Sequence, residues 1–388
     1  MRLETLFSKQ AILNRTKGDS IIWSIVIVLS LISLIAIYSS TGSLAYRMTG
    51  GHPEVYLVKR FGILIIGFFI IFAAHSVNYK VYRRFATAML IVSALLLLYT
   101  LFFGVTLNAG SRWIKIPGVG VTFQTSDLAK LSLFVYLSAQ LSSMQNNRGD
   151  FKQVCLRIFL PCLVICGLIA MANLSTALII AACCGMLFFI GRIQFSYLLI
   201  LGGALVILLL GVYNFSNRAA TWKHRIEAFA AGADVEDGFQ VKLGKVAIAN
   251  GGVFGRGAGN STQRNFLPHS YSDYIYSIII EEYGLIGGSF VLLLYLLFLW
   301  RSIVIFRRCP YAFGAFLAVG LSFTLVFQAL INMGVNVNLL PVTGLTLPLI
   351  SKGGSSVWFT CLTIGIILSV SRFVNEMEGK KSKSKING

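Results

Sequence analysis

Charge is scarce in this chain. Of its 388 residues 12% are charged and 56% are hydrophobic, where an ordinary soluble domain has about 25% charged residues, so a water-soluble globule is excluded. Acidic residues are rarer still: 14 Asp and Glu stand against 33 Lys and Arg, a net charge of +19. Partners outside the lipid are therefore expected to be anionic, and no nucleic-acid partner is expected. Histidine is limited to His52, His75, His224 and His269, too few for a multi-histidine metal centre. The seven cysteines, Cys155, Cys162, Cys166, Cys183, Cys184, Cys309 and Cys361, lie in apolar runs or at their ends without paired CxxC spacing, which excludes a zinc site and a disulfide framework. No metal-ligating set is read. A divalent cation such as Mg2+ or Mn2+ stays open as the one cofactor.

Apolar sequence is what the chain has in abundance. A helix needs about 20 apolar residues to cross the hydrocarbon core, and ten stretches approach that length: 21–38, 60–77, 86–107, 128–141, 155–171, 176–190, 195–213, 274–300, 311–331 and 349–370. The fourth and sixth are short. The expected fold class is all-α, a polytopic membrane protein of about ten transmembrane helices forming one integral membrane unit over 1–388. Lys and Arg in the short loops alternate so as to put both termini in the cytoplasm, with 1–20 as the amino-terminal segment and the basic residues 372–388 as a solvated tail.

Residues 214–273 form the large extracytoplasmic loop expected between helices 7 and 8. Within it, Asp237 followed by Gln240 reads as a capping box. Phe239, Leu243, Val246 and Ala247 share one face of a short amphipathic helix, which Gly251 and Gly252 end. That helix either lies on the membrane surface or packs on the bundle. The run Gly251, Gly252, Gly255, Gly257, Gly259 reads as a flexible turn or as backbone that approaches a phosphate closely. No βαβ pattern surrounds it.

Acidic residues at membrane depth are costly and mark function, which singles out Asp127, Asp273, Glu281 and Glu282. Asp273 reads as a helix cap or as a catalyst, and the two glutamates as interhelical hydrogen-bonding or ion-pair partners. Arg112 and Lys115 flank Trp113 in a cationic cluster. Residues 332–356 are apolar yet rich in Asn, Gly, Pro and Ser. Irregular backbone at that depth is tolerated only where it is buried in protein or lines a cavity, so a groove is expected there.

Four segments together resemble the SEDS family (shape, elongation, division and sporulation). NMGVNVNLLPVTGLTLPLISKGGSS, residues 332–356, is similar to that family's N-x-G, LLP, GLTLP and SYGGSS steps, with Lys352 in place of the tyrosine. NFLPHSYSDYIYSIIIEEYG, residues 265–284, is similar to LPEAHTDFIFAIIGEELG. His269 stands for the glutamate and Tyr271 for the histidine, while Pro268, Asp273, Glu281 and Glu282 are kept. NAGSRWIKI with FQTSDLAKLSLF, and GGVFGRGAGNSTQR, complete the match, with Asp127 for a glutamate and Thr125 for a proline, while the family's PDLGT step appears only as ANLST, with Asn173 for an aspartate. The wording is closer to the family's division branch than to its elongation branch.

The resemblance implies ten transmembrane helices and a peptidoglycan glycosyltransferase. Such an enzyme polymerises lipid II, an undecaprenyl-diphosphate-linked disaccharide peptide, into β-1,4 glycan with inversion on the outer face of the bacterial cytoplasmic (inner) membrane during cell division. A class B penicillin-binding transpeptidase and other division proteins are the implied partners. On the matching positions, Asp273 is the expected catalytic base, and Arg112, Trp113, Asp127, Lys130, Arg225, Arg264, Ser355 and Ser356 are expected to bind substrate. The chemistry is consistent: a diphosphate leaves as an anion against cations without a general acid, so one carboxylate that takes the acceptor proton suffices. The alternatives are a lipid II flippase and a membrane scaffold of the division machinery. A transporter should show inverted repeats, and no convincing internal repeat is found.

Overall fold

The computed structural model describes residues 18–42, 52, 54–107, 110–115, 122–145, 150–215, 236–267 and 270–386. Helices α1 (Ser20–Ser40), α2 (Glu54–Ser76) and α3 (Lys80–Phe103) lead into an antiparallel meander, β1 (Val105–Leu107), β2 (Gly110–Lys115) and β3 (Thr122–Gln124). Then follow α4 (Thr125–Met144), α5 (Phe151–Ala172), α6 (Leu174–Ile190), α7 (Phe195–Phe215), α8 (Glu236–Gly251), α9 (Ile275–Arg308), α10 (Ala312–Asn336) and α11 (Ser355–Ile386). Among the described residues seven helices, α1, α2, α3, α5, α9, α10 and α11, are long and apolar enough to cross a membrane. Helices α6 and α7 are shorter apolar segments, and α4 is a more polar helix of 20 residues.

Three sequence expectations change. The third apolar stretch ends as helix at Phe103, and β1 takes the residues up to Leu107. Asp237 is not the start of a capping box, because α8 already begins at Glu236. The tenth stretch is helical only from Ser355. The first fifteen residues of the 372–388 tail are helical, continuing α11 to Ile386.

Helix α10 is the most buried of the spans and packs against α4, α6, α9 and α11. Small residues let the backbones close up, as they must where lipid removes the hydrophobic drive for helices to associate. A Cβ added to Gly320 would lie 3.1 Å from Phe134 of α4 and 3.3 Å from Leu187 of α6. Where α11 crosses α2, a Cβ on Gly365 would meet Ala74 at 2.6 Å.

At each end of the bundle charged side chains join separate elements. At one end Asp19 caps α1, one carboxylate oxygen accepting from the Ile21 and Ile22 N–H groups (3.0 and 3.1 Å), while the other pairs with Arg301 of α9. Arg372 donates to the Ser76 carbonyl (3.2 Å), Arg308 faces Glu378 (3.9 Å), and the Lys80 ammonium lies 4.6 Å from the Tyr311 ring centre. At the opposite end the carboxyl end of α1, the meander and residues 252–274 and 337–354 come together.

Candidate active site

Residues 337–354 are irregular, and side chains from the bundle take up much of their backbone. Arg60, buried in α2, donates to the carbonyl oxygens of Leu349 and Ile350 and to the Ser33 hydroxyl. Ser33 donates to the Ile350 carbonyl at 2.9 Å, and Tyr295 of α9 to the Pro348 carbonyl. These donors hold Leu349 at φ 64, a left-handed conformation that a branched side chain rarely adopts. Arg60 was missed as a site-building residue. The signal was available, since an arginine at membrane depth needs carbonyls or carboxylates to receive it.

This pinned segment carries one wall of a site, and a single face of α10 carries another. Gln328, Asn332 and Asn336 recur every fourth residue and so share that face. Gln328 donates to the Thr346 carbonyl (3.0 Å), and Asn332 to the carbonyls of Leu345 (2.6 Å) and Asp273 (2.9 Å). Asn336 donates to the Asp273 carbonyl as well (2.9 Å), and its side-chain oxygen accepts from the N–H and hydroxyl of Ser277 in the first turn of α9. Two amides thus fix the backbone of Asp273, and a third contact, Ser351 Oγ donating to the Ser272 carbonyl at 2.6 Å, fixes its neighbour. The Asp273 side chain is half-buried beside Gly344, where an added Cβ would lie 3.7 Å from Oδ2. Gly344 has φ 65, so turn geometry and the close approach both ask for glycine. Tyr274 occupies the N-cap position of α9 and makes no side-chain cap bond, so Asp273 lies one residue before the cap.

Asp127 and Lys130 lie at the other end of the α10 stripe. The Lys130 ammonium is 3.7 Å from Asp127 Oδ1 and 2.8 Å from Gln328 Oε1, and Ser356 lines the same crevice as Asp127. Ser355 accepts from the Gln124 N–H at 3.1 Å and so ties α11 to the meander. Asp127, Lys130, Gln328, Pro348 and Ser356 line this narrow crevice. Eight residues of helix separate Gln328 from Asn336, about 12 Å at 1.5 Å per residue. Of the predicted residues, Asp127, Lys130, Ser355 and Ser356 therefore form one cluster, and Asp273 stands some two helical turns away along α10.

Arg264 belongs to a different construction. Helix α9 breaks at Gly284 (φ 71, ψ −173), and the glycine run fills the break. The N–H groups of Arg256 and Gly257 donate to the Glu281 and Glu282 carbonyls (3.0 and 2.9 Å), and those of Leu285 and Ile286 to the Gly252 and Val253 carbonyls (2.9 and 3.3 Å). A Cβ would collide with the Ile280 carbonyl at Gly251, with that of Glu282 at Gly255 and with that of Val253 at Gly284. The run is thus neither a flexible turn nor an open phosphate cradle; its backbone is consumed in closing the helix. Fully buried Glu281 accepts from the Ser261 hydroxyl, from the Thr262 hydroxyl (2.9 Å) and from the Thr262 and Gln263 N–H groups (3.2 and 3.3 Å). Glu282 accepts from Ser39 of α1, as expected for an interhelical partner, with the Arg264 charge near it. Arg264 donates to the Ser39 carbonyl (3.1 Å) and hydroxyl (3.3 Å).

Helix α8 packs on α9, the second of its two expected placements. The buried face is Gly244 and Ala247, while Phe239 and Val246, expected on the apolar face, are exposed. Trp113 lies half-exposed in β2 opposite Gln124 of β3. Arg225, the Arg112 and Lys115 side chains, Pro268 and His269 lie outside the described residues.

The sequence matches the cell cycle protein family of FtsW, RodA and SpoVE over residues 19–376. The chain belongs to this FtsW/RodA/SpoVE family. It is 32% identical to stage V sporulation protein E of Bacillus subtilis (strain 168), over 93% of this chain and 98% of that one. It is 33% identical to the probable peptidoglycan glycosyltransferase FtsW of the same organism, over 94% and 93%. Among solved structures, a chain described under "Structural coordination of polymerization and crosslinking by a peptidoglycan synthase complex" matches with a TM-score of 0.69 at 26% identity, covering 92% of this chain and 98% of that one. The rod shape determining protein RodA of Thermus thermophilus matches in fold, with a TM-score of 0.67 at 24% identity over 92% and 97%. The apolar helices and the FtsW/RodA/SpoVE membership together make the chain a multi-pass membrane protein.

Two of its departures from the family wording meet in space. The Lys352 ammonium lies 4.5 Å from the centre of the Tyr271 ring and 4.3 Å from that of Tyr56 in α2, and the Lys352 N–H donates to the Tyr271 carbonyl at 2.9 Å. Burial, with the Tyr56 and Asp273 charges, pushes the Tyr271 phenol up.

Proposed function

We propose that this chain is a peptidoglycan glycosyltransferase that polymerises lipid II into β-1,4 glycan during cell division. Asp273 is the general base, taking the proton from the 4-hydroxyl of the acceptor sugar as that oxygen attacks the donor's anomeric carbon, with inversion. The observation that carries the reading is the half-buried carboxylate of Asp273 on a backbone gripped by Asn332 and Asn336, next to Gly344. Catalytic groups must be held within about 0.5 Å of the productive geometry by such supports. The departing diphosphate is an anion, and Lys130, Arg112, Arg225 and Arg264 are the candidate cations for it. Of those with described side chains, Lys130 is paired with Asp127 and Gln328 and Arg264 with Ser39 and the Glu282 charge, so a diphosphate would have to share either cation with these partners.

The site end of the bundle faces outward from the bacterial cytoplasmic membrane, and both termini lie inside. A class B penicillin-binding transpeptidase and other division proteins are the partners. A divalent cation at the diphosphate would need only one or two carboxylates; among the described residues no group of three or more ligating side chains is assembled for one. The break in α9 is the feature a transporter would use, since such proteins bind substrates at broken helices. Residues 251–257 already occupy it, so the flippase reading takes second place. The experiment is incubation of the purified chain with lipid II alone: glycan chains support the reading, and unchanged lipid II beside an active transferase control removes it.

A further inference from the structure

We propose that Lys352, held between Tyr56 and Tyr271, is a substrate contact whose ammonium takes a phosphate of the lipid-linked diphosphate beside Asp273. This rests on the reading of the chain as a lipid II polymerase. Lys352 is tied at its backbone to the turn that carries the base: its N–H bonds the Tyr271 carbonyl at 2.9 Å, and Ser351 bonds the Ser272 carbonyl at 2.6 Å. Its side chain is held as well. The ammonium sits 4.3 Å and 4.5 Å from two tyrosine ring centres that come from separate elements, so a stem that ordinarily samples many rotamers is already ordered before any ligand arrives.

Aromatic faces attract a cation but leave its formal charge in place. Among the described residues no carboxylate forms an ion pair with Lys352. Exposed Lys59 in α2 adds a second positive charge that opposes it. Burial and Lys59 together lower the Lys352 ammonium to about 8, and a bound anion would reverse that shift. Two converging cations on a half-buried, aromatic-lined surface are complemented by an anion of more than one charge, and a diphosphate is such a group. The charged and titratable groups facing Lys352 are Tyr56 and Lys59 from α2 and Tyr271 from the turn, with the Asp273 charge beyond it acting on Tyr271. Lys352 is the one among them lowered to about 8. Its positive charge is present below that pH and is lost as the pH rises through it, so anion affinity should fall above pH 8.

The test reads binding and turnover separately on the purified full-length protein: Kd for undecaprenyl diphosphate, KM for lipid II, and Tm. Lys352→Met keeps an apolar stem between the rings and removes the charge. It should raise Kd and KM by about tenfold or more, the scale of a charge-assisted hydrogen bond, with Tm close to wild type, while Lys352→Arg should retain most of the affinity. The wild-type Kd should rise from pH 7 to pH 9, and that of Lys352→Met should stay flat. A Kd for Lys352→Met within twofold of wild type overturns the proposal. So does equal loss of binding and Tm in both variants, which would make Lys352 a brace between α2 and the turn. A wild type that binds undecaprenyl diphosphate through Lys352 yet forms no glycan would remove the polymerase reading and leave this contact standing.

Discussion

Glu281 is a fully buried carboxylate that receives hydrogen bonds from Ser261, Thr262 and Gln263. Replacing it with leucine strands those donors, and each buried unsatisfied donor costs about 1–3 kcal/mol. Glu281→Leu should therefore lower stability by several kcal/mol, read as a large fall in Tm in detergent, whereas Glu281→Gln, which keeps an acceptor, should cost less. An unchanged Tm in the leucine variant would mean that the 261–263 turn is not held from this side chain. The importance of Glu281 and Glu282 was legible in the sequence because charge in an apolar run is rare and must be satisfied. Their partners were not, because Ser39 lies over two hundred positions from Glu282 along the chain, and no local pattern links them. Asp127, Lys130 and Ser356 fell into one cluster, a grouping that the separate motifs do not state, while Arg264 went to Ser39 and the Glu282 charge, a pairing that spacing alone could not separate from phosphate binding.

At the level of elements, the ten apolar stretches were readable because their length is set by the bilayer, and each became a helix in whole or large part. The meander was not, since strands of 3, 6 and 3 residues are too short to show a period of two. The glycine run was visible but its meaning was not: the backbone it docks on, Ile280 to Ile286, lies 25 to 33 residues further along the chain. Docking makes a graded prediction. Gly284→Ala combines φ 71 with a clash against the Val253 carbonyl, whereas Gly259→Ala has φ 76 and open space around it. The second should cost about 1–2 kcal/mol, the price of a left-handed residue with a side chain, and the first distinctly more. Thermal unfolding of the two variants in one detergent checks the order, and equal losses would mean that the break in α9 is not closed by this segment.

Across the whole molecule, Asp19, Arg301, Arg308 and Arg372 lie at one end and the candidate site at the other. Which end faces outward is testable with Phe254→Cys, at a side chain 83% exposed on the glycine segment, in a cysteine-free background. It should react with an impermeant maleimide in intact cells, and Ser382→Cys should react only after lysis; the reverse pattern would invert the protein in the membrane. The central claim is that the carboxylate fixed by α10 performs base catalysis at this end. Its most direct test is lipid II polymerisation by purified Asp273→Asn, with undecaprenyl diphosphate binding and Tm measured on the same sample. General bases contribute roughly 10² to 10⁴-fold, so the account predicts a rate at least about a hundredfold below wild type with binding and Tm unchanged. Polymerisation near the wild-type rate would contradict it.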